Sequence, residues 1–119
     1  MDVSGLIGIP YKIHGRDESG LDCFGLIWLI AKKNGTPIHD PEYKGFSCML
    51  ARLADYVGLD RLDKFRIGCV IEMEKDNRLH LGYTIDQDRM IHCTINEGVI
   101  VEEIGKYKVK GWYKFNGCD

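Results

Sequence analysis

Between a loop rich in glycine and charge and the basic stop Lys32-Lys33-Asn34-Gly35 lies the segment that most restricts how this chain folds: Leu21, then Phe24 to Ala31 without one charged or amide side chain. The stretch is far short of the ~20 residues needed to cross a bilayer, so no membrane span is expected. It is also too uniformly apolar for a surface helix. It therefore predicts a buried helix over about 22–33 that starts at Asp22-Cys23 and ends where basic residues meet Asn-Gly. What precedes it, Gly8-Ile9-Pro10-Tyr11 and then His14-Gly15-Arg16-Asp17-Glu18-Ser19-Gly20, reads as loop and turn.

After Pro37 and Pro41, the residues Phe46, Met49, Leu50, Leu53, Ala54 and Val57 recur at helical spacing, which predicts an amphipathic helix over about 46–57. Beyond Arg66 the period shortens. Short β-rich segments, Cys69–Met73, Leu79–Ile85, Met90–Ile95, Val99–Val101 and Gly111–Phe115, are separated by turn signals and predict an antiparallel meander. Helices first and strands afterwards make an α+β fold, N-terminal helices packed on a C-terminal antiparallel sheet, and 119 residues suit one domain, 1–119. Sixteen Lys and Arg against eighteen Asp and Glu lack the cationic excess that nucleic-acid binding needs, so no nucleic-acid partner is expected. The N-terminus has no basic n-region and does not read as a signal peptide, which implies synthesis for the cytoplasm.

Five cysteines without a CxxC pair fit neither a disulfide framework nor a cysteine-rich metal site, and no metal or other cofactor is expected. Cys23 alone falls at a predicted helix start, where unpaired N–H groups favour thiolate and can receive an oxyanion. A nucleophilic thiol needs a base, and His80 and His92 flank the turn Asp86-Gln87-Asp88. Their separation is even, so a three- or five-residue loop centred on Asp86 sets them opposite each other on one face of a hairpin, whereas a two-residue loop separates them. On that face His80, Gly82 and Thr84 form the less apolar side. Cysteine, base and orienting group are the arrangement of papain-like hydrolases. Trp28 and Trp112 read as core, and the other four thiols as filler.

Four motifs stand in order: Gly8-Ile9-Pro10-Tyr11, Gly20-Leu21-Asp22-Cys23-Phe24-Gly25-Leu26-Ile27, His80-Leu81-Gly82-Tyr83, and Met90-Ile91-His92-Cys93 followed by Gly98-Val99. Over about residues 5 to 115 the chain resembles the NlpC family of papain-like cell-wall cysteine peptidases, most closely the version found in bacteriophage tail proteins. The resemblance implies Cys23 as nucleophile, His80 as general base, His92 as the residue orienting it, and Tyr11 as a hydroxyl beside the cysteine. It implies Asp22 as a contact for a substrate amine, a position that equally suits a helix N-cap. Arg16 with Asp17 reads either as exposed loop charge or as a substrate-facing ion pair. The implied substrate is the γ-D-glutamyl to diaminopimelate (or lysine) bond of peptidoglycan stem peptides. Many cell-wall members have serine where this chain has Phe24. Phage tail relatives share the bulky aromatic there, the Gly15-Arg16-Asp17 stretch and the closing Gly111-Trp112-Tyr113-Lys114-Phe115. The implied setting is a virion tail or the host cytoplasm, with other tail proteins as partners. The competing expectation is a structural or assembly module of a tail with a vestigial site.

Overall fold

The computed structural model of the chain describes residues 2–40, 54 and 56–116. A 3₁₀ turn at Ser4–Leu6 leads to a two-stranded ribbon, β1 (Arg16–Asp17) and β2 (Gly20–Leu21), and then to helix α1 (Cys23–Lys33). Strands β3 (Leu59–Leu62), β4 (Val70–Lys75), β5 (Arg78–Thr84), β6 (Arg89–Thr94), β7 (Gly98–Glu103) and β8 (Lys108–Phe115) follow. They form one antiparallel sheet in the order β3-β8-β4-β5-β6-β7. The expected α+β architecture is thus present. Of the predicted second helix, only Ala54, Tyr56 and Val57 are described, all helical; the rest lies outside the described residues. Among the described residues no helix is long and apolar enough to cross a membrane.

Helix α1 begins and ends as its sequence dictates. Asp22 caps it by accepting a hydrogen bond from the Gly25 N–H at 2.6 Å, and Lys32 and Lys33 sit in the last turn before Gly35 at φ +78°. The residues Phe24 to Ile27 and Leu29 to Ala31 are all buried. They share one core with Leu81, Tyr83, Ile91, Cys93 and Val99, the sheet face that α1 covers. Trp28 and Trp112 are only half-buried, at the margins of their cores.

Two expectations about the sheet need correction. The meander ends at β7: the chain then crosses one face and returns as β8 between β3 and β4, with a bulge between Glu72 and Met73. That crossing covers the supposedly polar face. Ile104, Tyr107, Val109 and Trp112 pack there on Ile71, Met73 and Met90, and leave His80, Thr84 and His92 buried. Both faces of the central strands are therefore interior, although His80, Gly82 and Thr84 make one side of β5 the less apolar.

Candidate functional site

The cysteine side is built from loop backbone stitched to the sheet. Gly8 N–H donates to Val99 O and Val99 N–H to Ile9 O, both at 2.9 Å. At Gly98, with φ +73°, a side chain would collide with the Ile9 carbonyl oxygen, so this position requires glycine. The strand so anchored then runs parallel to β2: Leu21 N–H donates to Pro10 O and Lys12 N–H to Leu21 O, each at 3.0 Å, with Tyr11 bridged to Leu21. Tyr11 is thereby fixed two residues from Cys23. Burial raises its phenol above the ordinary value, and the negative potential of Asp22 and Cys23 adds to the rise.

Asp22 is the junction of this half. Besides the cap, it accepts from His14 N–H at 3.0 Å and from Arg16 Nη1 at 2.8 Å. Arg16 also donates from Nη1 to the Gly15 carbonyl and from Nε to Asp40 Oδ2, each at 2.8 Å, and its guanidinium lies 5.2 Å from the Phe24 ring centre. The expected Arg16–Asp17 pair is not formed: Asp17 instead accepts from the backbone and hydroxyl of Ser19. Asp40 carried no sequence signal for this role, because it comes from a distant loop. Gly25 belongs to the same knot. A side chain there would strike the Gly15 carbonyl oxygen and crowd Arg16 and Asp22, which gives the glycine of the Asp-Cys-x-Gly motif a steric cause.

The histidine side is built by strand register. The loop at 86–88 is centred on Gln87, not Asp86, so His92 stands opposite Gly82, and His80 is one same-face step along β5. The parity argument survives the shift, because both rings remain on one face. A diagonal step is within reach of long side chains. His80 Nε2 and His92 Nδ1 are 2.8 Å apart, with the ring planes at 77°. A second diagonal step carries the contact to β7, where His92 Nε2 meets Glu102 Oε1 at 2.7 Å. The same oxygen accepts the Tyr107 hydroxyl at 2.7 Å, and Lys106 Nζ lies 3.4 Å from Oε2. Sequence reasoning missed Glu102 and Tyr107. Glu102 was reachable, since the parity rule applied to the Asn96-Glu97-Gly98 turn puts it on the face of His92.

The two halves meet where the β5–β6 ladder stops. Its last paired residues are Gly82 and His92, and the next amide in line, that of Leu81, hydrogen-bonds the charged form of the Cys23 sulfur. Cys93, across from Leu81, turns its thiol to Leu21 O at 3.1 Å. The start of α1 thus packs at the Leu81 amide, where β5 and β6 part. Among the described residues, no direct hydrogen bond joins the Cys23 sulfur to His80 or His92.

The electrostatics depart from the expected thiolate. Burial, then the Asp22 carboxylate, push the Cys23 thiol up to about 11, against the pull of the Leu81 and Phe24 amides and of Arg16. Burial pushes Cys93 up to about 12. His80 falls to about 3, chiefly through burial and then through His92; His92 is lowered as well, again by burial, although Glu102 opposes it. At neutral pH the free site holds a thiol and two uncharged imidazoles. A separate concavity of about 410 Å³, lined by Ser4, Ile7, Ile67, Tyr83 and Thr84 among others, opens at the far end of β5 and contains none of these groups.

A family model for the NlpC/P60 family matches residues 8–116. The chain belongs to the NlpC/P60 family. No curated protein matches it. Three solved NlpC/P60 structures are similar in fold. The NlpC/p60 domain of the peptidoglycan hydrolase SagA superposes with TM-score 0.68 at 18% identity, over 93% of this chain and 91% of that one. An NLP/P60 family protein from Staphylococcus aureus, described as similar to lipoprotein, gives 0.66 at 16% identity, over 96% of this chain and 39% of that one. An NlpC/P60 family protein from Bacillus cereus gives 0.63 at 21% identity, over 92% and 36%. The chain therefore corresponds to nearly all of the first and to little more than a third of the other two. Within this NlpC/P60 fold, Tyr11 and Asp22 are held near Cys23, His80 and His92 are paired on the sheet, and the Leu81 amide links the two groups.

Proposed function

We propose that this NlpC/P60 domain is a cysteine endopeptidase acting on peptidoglycan stem peptides, at the γ-D-glutamyl to diaminopimelate (or lysine) bond. What supports the reading is the half-buried Cys23 thiol at the start of α1, which reaches the Leu81 amide next to His80 in the chain, together with the hydrogen-bonded, uncharged His80–His92 pair. The SagA domain, from a peptidoglycan hydrolase, supports the substrate class.

In this reading the Cys23 sulfur attacks the amide carbonyl as its proton passes to His80, which His92 holds in place. N–H groups at the start of α1, with the Tyr11 hydroxyl, receive the oxyanion. His80 returns the proton to the departing amine, leaving a thioester on Cys23. Water, deprotonated by His80, then releases the carboxylate product and regenerates the thiol. A neutral base and an un-ionised thiol fit proton transfer during attack and not a preformed ion pair. The charges of Asp22 and Arg16 already satisfy each other, so beside the substrate they supply shape and hold Cys23 in position more than they offer a free charge to its amine.

The phage tail setting is part of the same proposal, with other tail proteins as partners and a location in the virion or the host cytoplasm. It is supported by Phe24, the Gly15-Arg16-Asp17 stretch and the closing Gly111–Phe115 segment. A second reading, a tail module with a vestigial site, is favoured by the raised Cys23 thiol. Mass spectrometry of muropeptides incubated with the protein and with Cys23→Ala separates the two. New free γ-D-glutamyl carboxylates with the wild type alone support the peptidase; identical spectra for both refute it.

A further inference from the structure

We propose that Glu102, clamped by the Tyr107 hydroxyl, is a positioning residue that fixes the tautomer of both histidines and leaves Nδ1 of His80 as the bare, proton-accepting nitrogen. The inference deepens the peptidase reading and rests on it for the role of His80 as base, but the tautomers themselves can be read without any substrate.

The argument follows from donor and acceptor capacity. A carboxylate only accepts, so the 2.7 Å contact requires the proton on His92 Nε2. Glu102 is held in that form: burial raises it, but the hydrogen bonds from Tyr107 and His92, together with Lys106, outweigh burial and lower it overall. His92 is fully buried and uncharged, so its Nδ1 carries a lone pair and can only accept. The 2.8 Å contact to His80 then has one consistent assignment, His80 Nε2–H donating to His92 Nδ1. An uncharged His80 with its proton on Nε2 has Nδ1 unprotonated. A chain of three side chains on three neighbouring strands thus transmits one choice, made at Glu102, to His80.

The clamp is built rather than incidental. Tyr107 donates to the same Oε1 that receives His92, and its ring packs edge-on against the His92 ring at 5.6 Å. The turn carrying it is tied to the β5–β6 loop by the Ile104 N–H donating to Asp88 O at 2.8 Å, and closes through Tyr107 N–H to Ile104 O at 3.0 Å. The Tyr107 ring packed on His92 helps keep that imidazole fully buried. The other charged groups that act on the pair are Lys75 and Asp76 at the β4–β5 turn and Glu97 at the β6–β7 turn, with Lys106 on Glu102 itself.

The test is nitrogen-15 NMR of the histidine-labelled full chain at neutral pH, with Glu102→Leu, Glu102→Gln and Tyr107→Phe. Wild type is expected to show both rings protonated at Nε2 and bare at Nδ1. Glu102→Gln keeps an acceptor oxygen, so it should keep both tautomers and most of kcat, and should move the acid limb of the rate profile to lower pH, because Glu102 raises both histidines. Glu102→Leu should mix the tautomers and lower kcat by about 10- to 100-fold with KM little changed, by analogy with the loss seen when the partner that orients a metal-bound histidine is removed. Should Glu102→Leu not fold, Tyr107→Phe carries the test: loosening Glu102 without removing it should broaden the His92 signals and lower kcat a few-fold. Wild-type rings protonated at Nδ1, or a folded Glu102→Leu with unchanged tautomers and rate, overturns the inference. Correct tautomers in a protein that cleaves no muropeptide leave the hydrogen-bond assignment standing and remove the peptidase reading alone.

Discussion

The cysteine and histidine sides of the site are held by opposite physics. Asp22, Arg16 and Asp40 form a half-exposed knot of full charges among tight glycine contacts, and the backbone of residues 8–12 and 20–25 does most of the positioning. His80 and His92 carry no charge at neutral pH, are buried between strands, and are placed by register. The lesson is that the loop side should fail through sterics and lost caps, whereas the sheet side should fail through chemistry while the fold survives.

The largest effect expected is on the sheet side. His80→Ala should reduce muropeptide cleavage by about 10²- to 10⁴-fold, the span associated with losing a general base. It should stay folded, since the cost of leaving His92 Nδ1 unpartnered is about 1–3 kcal/mol. Steady-state rates with a thermal melt check both halves of that statement; an active His80→Ala would break the contrast. Gly25→Ala comes next and should do the reverse. Its methyl group runs into the Gly15 carbonyl, and overpacking of this kind costs about 3 kcal/mol or more when backbone must move. Urea denaturation should show the midpoint falling steeply, and a variant as stable as wild type would show the knot to be looser than described.

Asp22→Ala should be milder, about 0.5–2 kcal/mol for the missing cap, while Asp22→Asn should recover most of the loss by keeping an acceptor for the Gly25 N–H. Equal losses for both variants would make the Arg16 ion pair, not the cap, the dominant contribution. Acid probes the sheet side without any substitution. Because the folded-state pKa values of His80 and His92 lie below the ordinary 6.5, their contribution to stability is complete above that value. The His80 share is lost as pH falls from 6.5 toward about 3, at up to about 1.4 kcal/mol for each pH unit, and the His92 share falls in the same direction. Denaturation midpoints from pH 8 to 4 should therefore decline only below about 6.5, and His92→Asn should flatten the decline.

The same contrast explains what could be read in advance. Parity alone put His80 and His92 on one face, and that conclusion withstood a shift in the loop centre from Asp86 to Gln87, because shifting by one loop position keeps even separations even. The apolar run from Phe24 to Ala31 and its basic end gave α1 almost to the residue. Tertiary closure was not legible. Nothing local to Glu103–Tyr107 says that this turn crosses the histidine face, so the second core and the burial of Thr84 and His92 were missed. The partners of Arg16 were not legible, because an ion pair closed by Asp40, from another loop, has no period to detect; of the two readings of Arg16 and Asp17, the pair between them is not formed. Helix position suggested a lowered thiol at Cys23, but its depth in the opening and the adjacent Asp22 carboxylate reverse that sign.

The central claim, that peptide cleavage proceeds through the Cys23 sulfur, is tested most directly by titrating the folded protein with iodoacetamide near pH 9 while following muropeptide cleavage and peptide-level modification in the same samples. The account predicts that activity falls in proportion to the fraction of Cys23 alkylated, with the buried Cys69 and Cys93 untouched. Full alkylation of Cys23 with cleavage undiminished would contradict it.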